Sequence, residues 1–479
     1  MNKRNQSLFV TLIFVISFSA FLFSACNGNR IPSDNSTLGE FGFTSLNKGV
    51  DTDVWGIISD KFAPDSLQEN PWILVTIPQE CDITKMKASF SIDEKAKLYI
   101  NDKRQKSGKT KTDYTNRVTA KVVAENGDTR YYDILVKKGD PVIDAKIYGL
   151  MEHYSIPGVA VSVAKGDSLI YSYGYGLADI AAKEKVSPTH LFRLASISKQ
   201  FTAISIMKLY EEGKLGLDDK VFGSKGILNE EFPGVTGTKA NVSVRNFLQH
   251  NSGWISSPDI MFSLPYRDWP LDEQIKHMLS LKQQHPVGTK YSYYNLGYAI
   301  LGEVIEKVSG KPYEEYVREV ISRAGISDVH VGKGREGRRA NECVYYSQNG
   351  YDGYRNNMDV LAAAGGLIAG SEEMMKLMVQ LDGKGDDILK KETIEEMYTP
   401  STANEKYALG WMLGHKRYPG AHYHSGNVAG TATIWCGDTD DEISAVVLMN
   451  SRSYLKTDSL TFDDAHYILL GDIVKHFTP

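Results

Sequence analysis

The chain has 479 residues, 42% of them hydrophobic and 24% charged, with a formal net charge of -5 and four cysteines. That length allows two or three domains, and the composition is that of ordinary globular protein. Mild acidity without a basic stripe excludes a nucleic-acid partner, and the lysines between Lys103 and Lys111 read as a solvated loop.

At the N-terminus, Lys3 and Arg4 precede an apolar run from Leu8 to Phe23, too short and too early for a stable membrane span. Ser24 and Ala25 then lead into Cys26. Small residues before a cysteine resemble a bacterial lipobox, with Phe23 where such motifs more often carry leucine. Residues 1–26 are therefore expected to be a lipoprotein signal peptide with Cys26 lipidated. An ordinary secretory signal cleaved nearby is the alternative. Either implies export, and the first implies a membrane partner through a lipid anchor in the bacterial cell envelope. Residues 27–40 are polar with Gly and Pro and read as a tether. Cys81, Cys343 and Cys436 are far apart and odd in number, which argues against a disulfide framework or a CxxC metal site. Cys436 follows a strand-like run and reads as a core thiol.

Residues 41–139 carry several short strand signals. Trp72 to Ile77 is a β-type run, and Val118, Ala120 and Val122 alternate. Asn126-Gly127 supplies a hairpin turn, after which Tyr132, Ile134 and Val136 alternate in return. This predicts a small all-β sandwich that resembles the immunoglobulin-like modules of bacterial surface lipoproteins. A spacer role suits it, with glycan or peptidoglycan binding as the alternative. Gly139, Asp140 and Pro141 mark a boundary.

Residues 142–479 alternate helical and strand patterns. Ile143 to His153 has amphipathic spacing, and Gly158–Val163 with Ser168–Ser172 reads as a strand pair. Phe201 to Tyr210 reads as a buried helix, with Ser196 near its start and Lys199 three residues on. That spacing puts both side chains on one face of one turn. A serine hydroxyl needs a neighbour to take its proton, and a helix N-terminus favours developing negative charge. The Ser-x-x-Lys triplet also occurs at Ser45, Ser162, Ser205 and Ser453. Ser45 precedes the sandwich, Ser162 falls in a strand, and Ser453 follows one. Ser205 is mid-helix, with its Lys208 expected to face solvent. Only Ser196 has a loop before it and a long apolar helix after it.

Tyr293 and Asn295 form a Tyr-x-Asn triplet ahead of the amphipathic helix that begins near Ala299. Tyrosine acts as a base only if its pKa falls well below about 10, which a neighbouring lysine cation promotes. Asn295 can donate and accept at once; a packed aromatic is the structural alternative for Tyr293. His424, Ser425, Gly426 and Asn427 precede the strand-like run from Thr431 to Trp435. A small residue on an edge strand lets a substrate backbone approach and its amides supply an oxyanion donor. His422 and His424 share a face, but no third ligand in a recognisable spacing accompanies them, so no metal or other cofactor is expected.

These three triplets, in this order and context, resemble the serine β-lactamase and penicillin-binding-protein superfamily, nearest its class C-like branch. Ile156 to Val161, Phe247 to Gly253 around His250, Ala364 to Ser371 and Leu409 to Trp411 resemble further landmarks of that branch. The resemblance implies a multidomain chain whose second part is a β-lactamase-like α/β domain: an antiparallel sheet with helices on both faces and a mainly helical lobe. It implies Ser196 as nucleophile, Lys199 as its hydrogen-bond partner, Tyr293 as general base and Asn295 as the orienter of Lys199 and of a substrate amide. His424 takes the place where β-lactamases usually carry lysine, and backbone N–H groups of Ser196 and Asn427 form the oxyanion hole beside Gly426. Histidine is only partly charged near neutral pH. That departure favours a D-stereospecific peptidase or esterase over an efficient β-lactamase, with a small peptide, ester or β-lactam as substrate. A slowly acylating penicillin-binding or sensor module is the reading from another class. Tyr175, Trp254, Tyr294 and Trp411 are equally suited to lining a cleft or to the core.

Overall fold

The computed structural model describes residues 33–59, 70–384, 388–437, 441–454 and 461–478. The expected signal peptide, with Cys26, and the first part of the tether lie outside the described residues.

The N-terminal region forms two sheets around one apolar core. Strand β1 (Leu38–Phe43) pairs antiparallel with β3 (Met86–Ile92) in one sheet. The other holds β2 (Trp72–Ile77), β4 (Lys97–Ile100), β5 (Val118–Val123) and β6 (Thr129–Lys138). The β5–β6 hairpin pairs Val123 with Thr129 across the Asn126-Gly127 turn, where Gly127 has φ 97°. Strand β1 opens at Leu38, so the last residues of the expected tether belong to the sheet. Phe41, Phe43, Ile73, Val75, Val122 and Ile134 fill the space between the sheets.

β2 does not alternate between apolar and polar residues because both its faces are covered. Ile73 and Val75 face the core between the sheets. Trp72 and Leu74 point the other way, into a cluster with Ile143, Ile147 and Tyr148 of α1 (Pro141–Tyr154). Only Gly139 and Asp140 separate β6 from α1. Asp140 caps that helix, accepting N–H bonds from Val142 and Ile143 at 3.0 Å each, and Pro141 takes the first helical position.

The second region is built on a seven-stranded antiparallel sheet. From one edge its order is the short strand Glu184–Lys185, then β8 (Ser168–Asp179), β7 (Gly158–Lys165), β12 (Ile443–Met449), β11 (Thr431–Gly437), β10 (Tyr418–Val428) and β9 (Met412–His415). The continuous apolar run of β7 divides by the period of a strand. Val159, Val161 and Val163 pack with α1 and the C-terminal helix, Phe462–Phe477. Ala160 and Ala164 pack with the helical lobe on the opposite face, whose centre is α2 (Ser198–Glu211), α3 (Asn295–Ser309) and α4 (Ser371–Met378). An antiparallel sheet with helices on both faces and a helical lobe is the architecture that the resemblance implies.

Candidate active site

The segment that carries Ser196 is anchored from behind. The short strand Phe192–Arg193 pairs with Leu367–Ala369, and the Leu194 N–H donates to the Leu367 carbonyl at 2.8 Å. The fully buried Arg193 guanidinium donates to the carbonyls of Gly353 at 2.6 Å and Lys333 at 3.2 Å. It also lies over the rings of Tyr345 and Tyr354, at 4.2 and 4.8 Å. The chain then turns through Ala195, a non-glycine residue with φ 50°. A left-handed alanine costs about 1 kcal/mol, which the surrounding packing must offset. One 3-10 turn, Ala195–Ile197, follows before α2. From Leu191 to Leu209 every residue is buried except Ser196. The bend therefore presents this hydroxyl alone.

Lys199 Nζ donates to Ser196 Oγ at 3.1 Å and to the Ala364 carbonyl at 2.5 Å. Its ammonium also stands over the rings of Tyr293 and Tyr298, at 5.0 and 5.7 Å. Lys199 is fully buried, and burial lowers its pKa to about 7 against the partial support of Asp259. A good part of it is thus a free amine at neutral pH.

The Tyr293 hydroxyl also hydrogen-bonds Ser196. The expectation that a lysine cation depresses its pKa is not met. Burial outweighs the Ser196 hydrogen bond and pushes Tyr293 above its ordinary value. Of the two, Lys199 gives up its proton first. His250 sets the position of Tyr293. Its carbonyl accepts the Ser292 N–H at 2.7 Å and its Nδ1 accepts the Tyr294 N–H at 3.1 Å, holding the backbone on both sides. The two rings lie 4.3 Å apart. Nδ1 is an acceptor, so Nε2 carries the proton, and burial keeps the imidazole neutral.

Asn295 opens α3, and its side chain does not turn to Lys199 as expected. Its Nδ2 donates to Asp259 Oδ2 at 2.8 Å, and the other Asp259 oxygen accepts the Met261 N–H at 3.1 Å. Asp259 is half-buried. Burial raises its pKa, with Asn295, Met261 and Lys199 pulling the other way.

His424 is buried, and burial beside Lys199 lowers its pKa to about 3. Its Nδ1–H donates to the Ser425 carbonyl at 2.7 Å, which leaves Nε2 facing the Tyr407 hydroxyl at 3.5 Å. The expectation of a partly charged histidine is therefore corrected: burial makes it a neutral group. β10 is second from the sheet edge, but β9 covers it only from Tyr418 to Tyr423, so His424 to Val428 run as a free edge. At Gly426 a Cβ would overlap the Leu194 carbonyl and the Thr433 hydroxyl. The close approach that requires this glycine is that of the Ser196 segment, not of a substrate backbone. Asn427, next along, is half-buried and pairs with Ala432.

Ser196, Lys199 and Tyr293 thus meet directly, and His424 stands beside Tyr293 with ring centres 6.1 Å apart. Asn295 is bound instead to Asp259, whose charge acts on Lys199 and Tyr293. The roles of Arg193, His250, Asp259 and the Ala364 carbonyl are not carried by any short triplet; only the segments around His250 and Ala364 stood out as landmarks. Tyr175, Trp254, Tyr294 and Trp411 are all core residues. Lys208, expected in solvent, is buried and paired with Glu211 at 2.6 Å.

The beta-lactamase family model matches residues 143–469, and the chain belongs to that family of serine hydrolases. It is 25% identical over 342 residues to penicillin-binding protein 4* of Bacillus subtilis (strain 168), covering 65% of this chain and 72% of that protein. Its fold is similar to a class C beta-lactamase, with TM-score 0.59 at 19% identity over 71% of this chain and 96% of that one. It is also similar to a D-stereospecific amidohydrolase from a Streptomyces species, with TM-score 0.53 at 23% identity over 64% and 94% of the two chains.

Proposed function

We propose that the protein is an exported, lipid-anchored serine hydrolase that works through a Ser196 acyl-enzyme on D-amino-acid peptides or esters. The observation that carries this reading is geometric: the Nζ of buried Lys199 lies 3.1 Å from the one accessible hydroxyl of its segment.

In this reading Ser196 Oγ bonds to the substrate carbonyl carbon. Its proton passes to Lys199 and is relayed through the Tyr293 hydroxyl to the leaving amine or alcohol as the C–N or C–O bond breaks. Water then cleaves the acyl ester by the reverse path. The backbone N–H groups of Ser196 and Asn427 hold the oxyanion, each worth about 3 kcal/mol of barrier. Gly426 keeps the two strands close enough for that. Asn295 orients the acyl side of the substrate, and His424 supports Tyr293 without adding charge. The D-stereospecific amidohydrolase and penicillin-binding protein among the similar proteins support the substrate class. A neutral His424 disfavours the carboxylate that a β-lactam carries. Lys3, Arg4, the apolar run to Phe23 and Cys26 support export and anchoring. The two N-terminal sheets serve as an immunoglobulin-like spacer.

Labelling with a fluorophosphonate and with a fluorescent penicillin, against Ser196→Ala, tests the reading. Absence of any Ser196-dependent label would sink it. A penicillin label that persists for hours favours a slowly acylating sensor, and rapid nitrocefin turnover favours a class C β-lactamase.

A further inference from the structure

Asp259 differs in kind from the other charged groups around Ser196. Lys199 is bound to Ser196 and the Ala364 carbonyl, and the Arg193 guanidinium donates to two carbonyls and is wholly enclosed. His250 and His424 are neutral. Asp259 forms no ion pair among the described residues. Its two hydrogen bonds come from a neutral side-chain amide and a backbone N–H, so lone pairs remain on both oxygens. It is half-buried rather than enclosed, and its field reaches Lys199, Tyr293 and Tyr294. Of these charged groups, Asp259 is the one left without an ion-pair partner or an enclosing set of acceptors.

We infer that Asp259, with Asn295, binds a free ammonium group of the acyl donor, so that the preferred substrates are aminoacyl amides or esters with an unblocked amino terminus. The inference rests on the Ser196 acyl-enzyme reading. An α-ammonium is one carbon away from the carbonyl that Ser196 attacks. Asn295, two residues after Tyr293, presents its amide 2.8 Å from the Asp259 carboxylate, whose charge acts on both Lys199 and Tyr293 beside the nucleophile. An ammonium seated there donates to Asp259 and to the free Asn295 Oδ1. A carboxylate–ammonium bond is roughly twice as strong as a neutral one, and acylating the amine removes both its charge and two of its donors. A stem peptide blocked at its amino end, or a penicillin with its acylated side chain, forgoes this contact.

The test compares alanine p-nitroanilide, each enantiomer, with its N-acetyl counterpart, on the purified protein and on Asp259→Asn. Asparagine keeps one acceptor oxygen for the Asn295 amide and removes the charge, together with the oxygen that accepts the Met261 N–H, a loss that both substrates share. The expected kcat/KM ratio of free over acetylated substrate is about ten- to a hundredfold in the wild type. It should fall toward one in Asp259→Asn, whatever happens to the absolute rates. In the wild type, KM for the free-amine substrate should also rise as pH passes about 8, where the amine deprotonates. That measurement needs no variant. A wild-type ratio near or below one overturns the inference. So does an Asp259→Asn variant in which both substrates slow in proportion, which would make Asp259 a positioning residue for Asn295. If neither anilide reacts while Ser196 still takes a fluorophosphonate label, the inference fails and the acyl-enzyme reading stands; without the label, that reading fails as well.

Discussion

The carbonyl of Leu194 occupies the space in which a side chain on Gly426 would stand. The Thr433 hydroxyl donates to that carbonyl at 2.8 Å, so the segment before the nucleophile is fastened to two adjacent strands of the sheet. The contact sets the separation of the Ser196 and Asn427 backbones, on which the proposed oxyanion hole depends.

Gly426→Ala is therefore expected to act on rate more than on folding. A methyl group would press on Leu194 and on the Ala195 Cβ at 3.0 Å, so one strand must move. Overpacking of this kind costs about 1–3 kcal/mol of stability. Losing the alignment of one oxyanion donor costs about 10²–10³ in kcat. Thermal unfolding and steady-state rates on one ester check both. A variant that retains wild-type kcat would refute the role given to this contact.

Lys199 links activity to pH. Below about pH 7 it is an ammonium and cannot accept the Ser196 proton, so acylation should fall as pH drops through that value and level off above it. Stability depends on the same titration, in the same direction but over a higher window. The unfolded chain holds the lysine proton up to about pH 10.4, while the native state sheds it near 7. Between the two values the unfolded state binds the extra proton, so stability rises with pH across that window. Lys199→Met removes this burden but strands the Ala364 carbonyl. It should unfold about 2 kcal/mol later than wild type at neutral pH while losing acylation. Denaturant melts at two pH values, with a fluorophosphonate rate, measure the two effects.

The triplets carried the site as far as local spacing can. Ser196 stood out because a loop precedes it and an apolar helix follows, and the structure adds that it is the one accessible residue of its stretch. The β5–β6 hairpin was legible because alternation and an Asn-Gly turn agree. Other features lay in contacts between distant segments. Asn295 meets an aspartate 36 residues away, and spacing does not say which way an amide points. The carbonyl that steadies Lys199 lies 165 residues on. The proton affinities of Tyr293, Lys199 and His424 are set by burial, which the motifs do not report. The run Trp72–Ile77 announced a strand, but not that its second face belongs to the neighbouring domain.

His424 should be silent in the pH profile. Its pKa of about 3 keeps it neutral through the working range, with the proton on Nδ1. His424→Gln is therefore expected to leave the shape of the kcat/KM profile between about pH 5 and 8 governed by Lys199. His424→Lys places a cation where a substrate carboxylate could reach it. The second-order rate of penicillin acylation, divided by that for a neutral ester, should rise about tenfold or more. An unchanged ratio would mean that a carboxylate does not reach this position.

The two N-terminal sheets should unfold together with the hydrolase domain because a buried cluster joins them. Lys137 of β6 pairs with Asp144 of α1 at 2.5 Å, and its ammonium lies over the rings of Tyr148, Tyr173 and Tyr175. Asp144 is almost wholly buried and also accepts from Thr76 at 2.7 Å, Tyr175 at 2.6 Å and Tyr171 at 3.1 Å. Trp72 and Leu74 extend the same contact with apolar surface. Lys137→Met leaves the carboxylate buried without a cation, which should cost about 3 kcal/mol. Adding Asp144→Asn should recover part of that loss, since the two changes remove one shared interaction. Wild-type protein is expected to melt in a single calorimetric transition. Two separate transitions in the wild type, or strictly additive losses in the double variant, would show that this cluster does not couple the two parts.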